Sequence, residues 1–297
     1  MARKIKTIKI KVDADTGEEL SSTVYTQEQV EGYKKMLGAA AEYDARGYFL
    51  RKQSDDLGGF TWLIYNTGEI LDLGLEPDAL TKIIYLSTFM DYDNYLTTGN
   101  LTREKERITR VEAAALLGIG ERKFYEFWKS VKAAGVLIEE PEEGWIKLND
   151  EIFHRGSLEG VEVSKRAIRI YANAVRKLYE KSTAREHKLL SKVFQAIPYI
   201  NIKYNILCTN PDETELKFVK CLCLTDYCRL IGYDINNVPQ LRKALKRLTV
   251  MNEGVFGFTE TCAGDSIFVN PMVYYGGNNY DEVKVLGKFF EEGDSNL

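Results

Sequence analysis

Histidine is scarce in this chain, with two among 297 residues, His154 and His187, far apart in sequence. The paired His-x-His metal site of rolling-circle nucleases cannot be assembled from them. No Gly-x-x-x-x-Gly-Lys-Ser/Thr loop is present, which excludes a P-loop nucleotide hydrolase. No apolar run approaches the roughly 18 residues of a membrane span. The opening "MARKIKTIKIKV" alternates charge with aliphatic residues and lacks the apolar core of a signal peptide. The expectation is a cytoplasmic protein with no membrane contact. Five cysteines, an odd number lying between Cys208 and Cys262, fit a reducing compartment and form no disulfide framework. Cys221, Cys223 and Cys228 invite a zinc site completed by Cys208 or His187. They stand, however, in the apolar run "KFVKCLCLTDYCRLIG", where packing explains them better. No metal or cofactor is expected. Asp15-Thr16-Gly17 matches the tripeptide of aspartic proteases, but Asp13 and Glu18 flank it and a hairpin turn accounts for it. The chain is expected to be no enzyme.

Charge is sorted along the sequence. The net charge is −4, yet Val161 to Asn205 holds ten Lys/Arg against three Glu. The last 17 residues carry five acids against two lysines. A mildly acidic total therefore does not exclude a nucleic-acid partner, because a segregated basic face is the relevant quantity.

Two stretches read alike. "LNDEIFHRG" (Leu148 to Gly156) and "VNPMVYYGG" (Val269 to Gly277) share aliphatic-Asn, an Ile or Val followed by an aromatic, and a terminal Gly. Upstream of the first, Thr109 to Leu117 has helical periodicity, and Gly118-Ile119-Gly120 breaks it as a tight interhelical turn would. A second amphipathic helix puts Phe124, Phe127, Trp128 and Val131 on one face, and Gly135 stands where a C-cap favours a left-handed residue. Extended runs at Val136–Glu140 and Trp145–Leu148 flank a Pro-Glu-Glu-Gly turn. Upstream of the second stretch, Leu230-Ile231-Gly232 matches Leu116-Leu117-Gly118, and Leu241, Ala244, Leu245 and Leu248 repeat the apolar spacing. Gly254-Val255-Phe256 matches Gly135-Val136-Leu137, and a hairpin follows. Helix, turn, helix, hairpin is the order of a winged helix-turn-helix, written twice. The fold expected is α+β and mostly helical, with two tandem winged helices joined by a long helix and a small N-terminal α+β cap. The expected boundaries are a cap over residues 1–75 and winged helices over 76–160 and 186–278. A basic connector helix over 161–185 and an acidic tail over 279–297 complete the chain. In the cap, two strands around Asp13–Glu18 precede a helix (Gln27 to Tyr43) and strands at Tyr48–Arg51 and Phe60–Tyr65. The cap is also a candidate homodimerisation element.

A winged helix lays its second helix in the major groove, where exposed side chains reach base edges and phosphates. In the first copy these are Arg122, Lys123, Tyr125 and Lys129. In the second they are Asn236, Asn237, Gln240, Arg242, Lys243 and Lys246, of which Asn and Gln suit adenine. Lys165, Arg166, Arg169, Arg176 and Lys177 share one flank of the connector on a helical wheel and could contact phosphate. The acidic turn "EEPEEG" makes the first copy the weaker candidate for DNA contact and suits a protein-interaction module.

The two winged-helix patterns, the "VNPMVYYGG" exit and "PYINIKYNILCTNP" resemble the RepL-like replication proteins of Firmicute plasmids and phages. The resemblance is clearest over Leu80 to Gly156 and Ala184 to Gly277. Asp150 stands where the second copy has Pro271. The resemblance implies an origin-binding initiator without polymerase or nuclease activity. The expectation is thus a sequence-specific double-stranded DNA-binding protein of a phage or plasmid, acting in replication initiation or transcription control. Replication or transcription proteins would be its partners. The alternative is a winged-helix adaptor that recruits or inhibits a host or phage factor.

Overall fold

The computed structural model describes residues 5–12, 19–26, 56–66, 74–98, 106–158, 165–183, 186–261, 264–277 and 280–291. The expected helix at Gln27 to Tyr43, the strand at Tyr48–Arg51, Asp15-Thr16-Gly17 and Cys262 lie outside the described residues. The chain divides into two units, Met1–Gln53 and Ser54–Leu297. In the first, β1 (Ile5–Val12) and β2 (Glu19–Thr26) pair antiparallel, as the alternation of "IKTIKIKV" leads one to expect.

The second unit is α+β, and the described residues of the chain include eight α-helices with small antiparallel sheets. Its centre is a four-stranded sheet in the order β12-β7-β3-β6. The strands are β3 (Phe60–Asn66), β6 (Phe153–His154), β7 (Lys165–Tyr171) and β12 (Tyr274–Tyr275). Two boundaries differ from those expected. Phe60–Tyr65 belongs to this sheet and not to an N-terminal cap. Residues 161–185 are not one helix, because β7 occupies their middle and α4 (Ala172–Lys181) starts after it. "KRAIRIY" alternates, and Ile168 and Ile170 are buried on one face of a strand that pairs with β3 along its length and with β12 at its end. That period of two was overlaid on a helical stripe running through Val175, Leu178 and Tyr179, so the wheel merged two elements. The acidic tail contains helix α8 (Tyr280–Glu291), whose Val283 is buried with Leu57, Tyr171 and Tyr275.

Between β3 and β6 the chain builds α1 (Pro77–Ser87), α2 (Arg110–Leu117), α3 (Glu121–Ala133) and a hairpin of β4 (Leu137–Glu139) with β5 (Ile146–Leu148). Thr109 and Glu112 form a capping box on α2, and Gly118 ends it at φ 60°. Gly135 follows α3 at φ 67°, a conformation costly for any residue with a Cβ. Between β7 and β12 the order is α4, α5 (His187–Gln195), α6 (Leu224–Leu230), α7 (Val238–Leu245) and a short ribbon of β8 (Thr249–Val250) with β9 (Glu253–Gly254). The hairpin β10 (Phe256–Thr261) with β11 (Gly264–Val269) follows.

The same backbone bonds recur in both halves. Leu96 N–H donates to Ile146 O at 2.8 Å, and Leu207 N–H to Ile267 O at 2.8 Å. Leu148 N–H donates to the carbonyl of Asn94 (φ 66°), and Val269 N–H to that of Asn205 (φ 53°). Asn149 takes a backbone bond to Val136 O and sends its amide to Gly135 O; Asn270 does the same with Val255 O and Gly254 O. The two Asn-containing stretches thus close equivalent corners, each Asn preceded by a buried aliphatic residue, Leu148 or Val269. One continuous core runs through both halves; α1 packs on α5, and Ile83, Ile84, Leu190, Val193 and Phe194 of these helices belong to that core.

Candidate nucleic-acid interface

Helix α3 buries Phe124, Phe127, Trp128 and Val131 and exposes Arg122, Lys123, Tyr125 and Lys129. The division follows from the 3.6-residue period: an apolar stripe faces the core and the opposite face is left to solvent. Arg122 contacts Glu126 one turn on at 3.3 Å, with both side chains largely in water, so the pairing is weak and easily exchanged. Tyr125 is 58% exposed, and the Arg110 guanidinium lies 5.9 Å from its ring centre. The β4–β5 turn carries exposed Glu142 and Glu143.

Helix α7 buries Leu241 and Leu245 and exposes Gln240, Lys243 and Lys246. Arg242 is half-buried, with its guanidinium 5.2 Å from the Phe258 ring centre, and the Lys246 ammonium lies 5.9 Å from it. These contacts tie the cationic helix to the first strand of the β10–β11 hairpin. Arg247, absent from the sequence-derived set, is exposed next to them. The run "LRKALKR" already contained it, between Lys246 and Leu248, the last apolar residue of the stripe.

Asn236 and Asn237 stand at the N-terminal end of α7, just outside the helix. They lie in the 3-10 turn before α7, and their amide groups donate to the two Asp234 carboxylate oxygens at 3.0 Å each. Asp234 also accepts from Asn236 N–H, which makes this a capping turn. Both asparagines are exposed, and each commits one of its two amide N–H donors to the turn.

The connector set divides. Lys177 is exposed. Lys165 opens β7, paired along the backbone with Asn66. The other three are turned to the protein. Arg166 is ion-paired with Asp212, its side chain only 14% exposed. Arg169 stacks its guanidinium 4.2 Å from the Trp62 ring centre and donates to Gly277 O, and burial depresses its pKa. Arg176 donates to Thr88 O at 2.6 Å and to Thr88 Oγ1 at 3.0 Å, lies 3.8 Å from the Phe89 ring centre, and is likewise depressed by burial. A row of cations on the outside of one helix was expected; the strand–helix break at Tyr171 sends them in different directions. No phosphate-contacting strut is formed by these three.

Among the described residues no cluster of three or more His, Cys, Asp or Glu could hold a metal ion, and no helix is long and apolar enough to cross a membrane. Cys208 and Cys228 are buried; burial pushes the Cys208 thiol up to about 11. The Cys223 thiol donates to Asp226 Oδ2 at 3.1 Å. His187 is buried, stacked 4.2 Å from the Tyr179 ring, which itself stacks 3.9 Å from Tyr85.

What the geometry brings together is two amphipathic helices, each in the same position of a repeated framework, each with an outward cationic face. In comparisons of the whole chain, no protein-family model, no curated protein and no solved structure matches it.

Proposed function

We propose that this chain is a non-enzymatic, sequence-specific double-stranded DNA-binding protein with two tandem winged-helix modules. The modules are α1–β5 and α5–β11, and α3 and α7 are the helices that enter the major groove. The resemblance to RepL-like initiators favours a plasmid or phage setting, in replication initiation or transcription control. The observation that carries the reading is the exposed polar face of α7, with Gln240, Lys243, Lys246 and adjoining Arg247 unburied around an apolar stripe. Cations on such a face neutralise phosphates and release counterions, while Gln can pair with an adenine edge. Arg166, Arg169 and Arg176 are no part of the proposed surface.

A titration of duplex binding against salt tests it, using duplexes selected from a random pool. Replacing Lys243, Lys246 and Arg247 together by Ala is expected to weaken binding more than about tenfold. It should also flatten the slope of log K against log salt by about 2 to 3. An unchanged affinity and slope would move the surface off α7. Exposed Tyr125 on α3 and exposed Glu142 and Glu143 in the β4–β5 turn favour a second reading, a protein-binding adaptor. Absence of duplex binding at about 50 mM salt would select that reading, since phosphate contacts are strongest there.

A further inference from the structure

The central sheet relates the two halves by a symmetry that the order of elements alone does not imply. Phe153 and Tyr274 each lie four residues beyond the corner asparagines Asn149 and Asn270, and they pair with Leu63 and Ile170. Leu63 and Ile170 are therefore equivalent, as are Trp62 and Arg169. The backbone agrees: Ile64 N–H donates to Ile152 O at 2.8 Å, and Tyr171 N–H to Val273 O at 3.0 Å. The side chains agree as well. Trp62 Nε1 donates to Gly156 O, and Arg169 donates to Gly277 O, which ends the matching stretch.

In the β3–β7 register, Trp62 faces Arg169, its own equivalent. Thr61 faces Ile170 and Leu63 faces Ile168, and exchanging the two halves turns one pair into the other. An antiparallel pair with a self-equivalent position has a two-fold axis normal to the sheet through that position. The edge strands β6 and β12 fall symmetrically on either side of it, and α1 and α5, the first helices of the two proposed modules, pack together.

We infer that a single chain binds an inverted repeat as a monomer, with α3 and α7 as its two-fold-related readers. This rests on the DNA-binding reading. Modules strung along a chain by translation would read direct repeats. Modules related by a two-fold read inverted ones, because duplex DNA has its own two-fold axes normal to the helix and the symmetries must coincide. The half-sites are unlike each other, since α3 presents Arg122, Lys123 and Tyr125 where α7 presents Gln240, Lys243 and Lys246. Homodimeric repressors reach the same geometry with two chains; here both halves are in one.

The test starts from duplexes enriched by the full chain from a random pool, with bound mass and footprint measured. One chain per duplex is expected, protecting two dissimilar half-sites in inverted orientation. Re-synthesising one half-site in the opposite orientation should weaken binding at least about tenfold, the cost of losing one module's base contacts. Lys123→Ala with Lys129→Ala should remove protection from one half only. Equal affinity for the direct arrangement, enriched direct repeats, or two chains per site would overturn the inference and leave DNA binding standing. No enrichment of any duplex would overturn both.

Discussion

Asn205 holds the second half's corner with its backbone and its side chain at once, and replacing it has a cost that can be worked out. It sits at φ 53°, is buried, and its amide donates to Val269 O at 2.8 Å and Tyr274 O at 3.0 Å. Those two carbonyls belong to the last residue of β11 and the first of β12. Ala at this position leaves both without that donor, at roughly 1–3 kcal/mol per buried acceptor. A Cβ-bearing residue that cannot bond locally also has about 1 kcal/mol of left-handed strain to bear. Against this, the buried Asn205 Oδ1 has no hydrogen-bond partner, so its removal returns about 1 kcal/mol. The expected net loss for Asn205→Ala is about 2–6 kcal/mol, or a fall in melting temperature of roughly 4–24 °C for a unit of this size. Asn205→Gly loses the same bonds but relieves the strain, and should be better than Ala by about 1 kcal/mol. Urea unfolding followed by circular dichroism measures both. A loss below about 1 kcal/mol for Ala, or Gly no better than Ala, would refute the account of this corner.

His187 gives a pH dependence. Burial depresses its pKa, opposed by backbone contacts from Tyr179 and Ser182 and by Asp78, with Lys82 adding to the depression. Its folded pKa thus lies below the unfolded value of about 6.5, so the unfolded chain takes up the proton first. This contribution is complete above the unfolded pKa and is lost as pH falls below it. His187→Phe, which keeps a ring against Tyr179, should reduce the fall in stability between about pH 7 and pH 5; an identical pH profile would count against burial of the imidazole. Arg176→Met should cost about 2 kcal/mol by orphaning the Thr88 carbonyl while leaving duplex affinity unchanged. Denaturation and anisotropy read the two effects, and a loss of DNA affinity without a loss of stability would return Arg176 to the binding surface.

Local patterns carried much of the fold. Thr109 with Glu112, Gly118 and Gly135 mark helix ends by backbone chemistry that acts within a few residues, and the structure places caps there. The apolar spacings of Phe124 to Val131 and of Leu241 to Leu245 identify α3 and α7 with their buried faces. The exposure of Lys123, Lys129, Lys243 and Lys246 follows from the same period. The paired stretches ending in Gly156 and Gly277 were visible as text, because matching corners need matching Asn and Gly.

Other features depended on partners distant in sequence. Ile168 and Ile170 suit a strand or a helix equally, and only pairing with β3 and β12 decides between them. That decision turns Arg169 from a surface cation into the partner of Trp62 and Gly277, more than a hundred residues apart in the chain. Arg166 and Arg176 likewise found Asp212 and Thr88, which no local spacing connects to them. The likeness of the two Asn-containing stretches is written in the sequence, whereas the relative orientation of the halves that hold them is set by the antiparallel register of β3 on β7. A strand's own residues define which faces it has, but a two-fold exists only once a second strand has chosen where to pair.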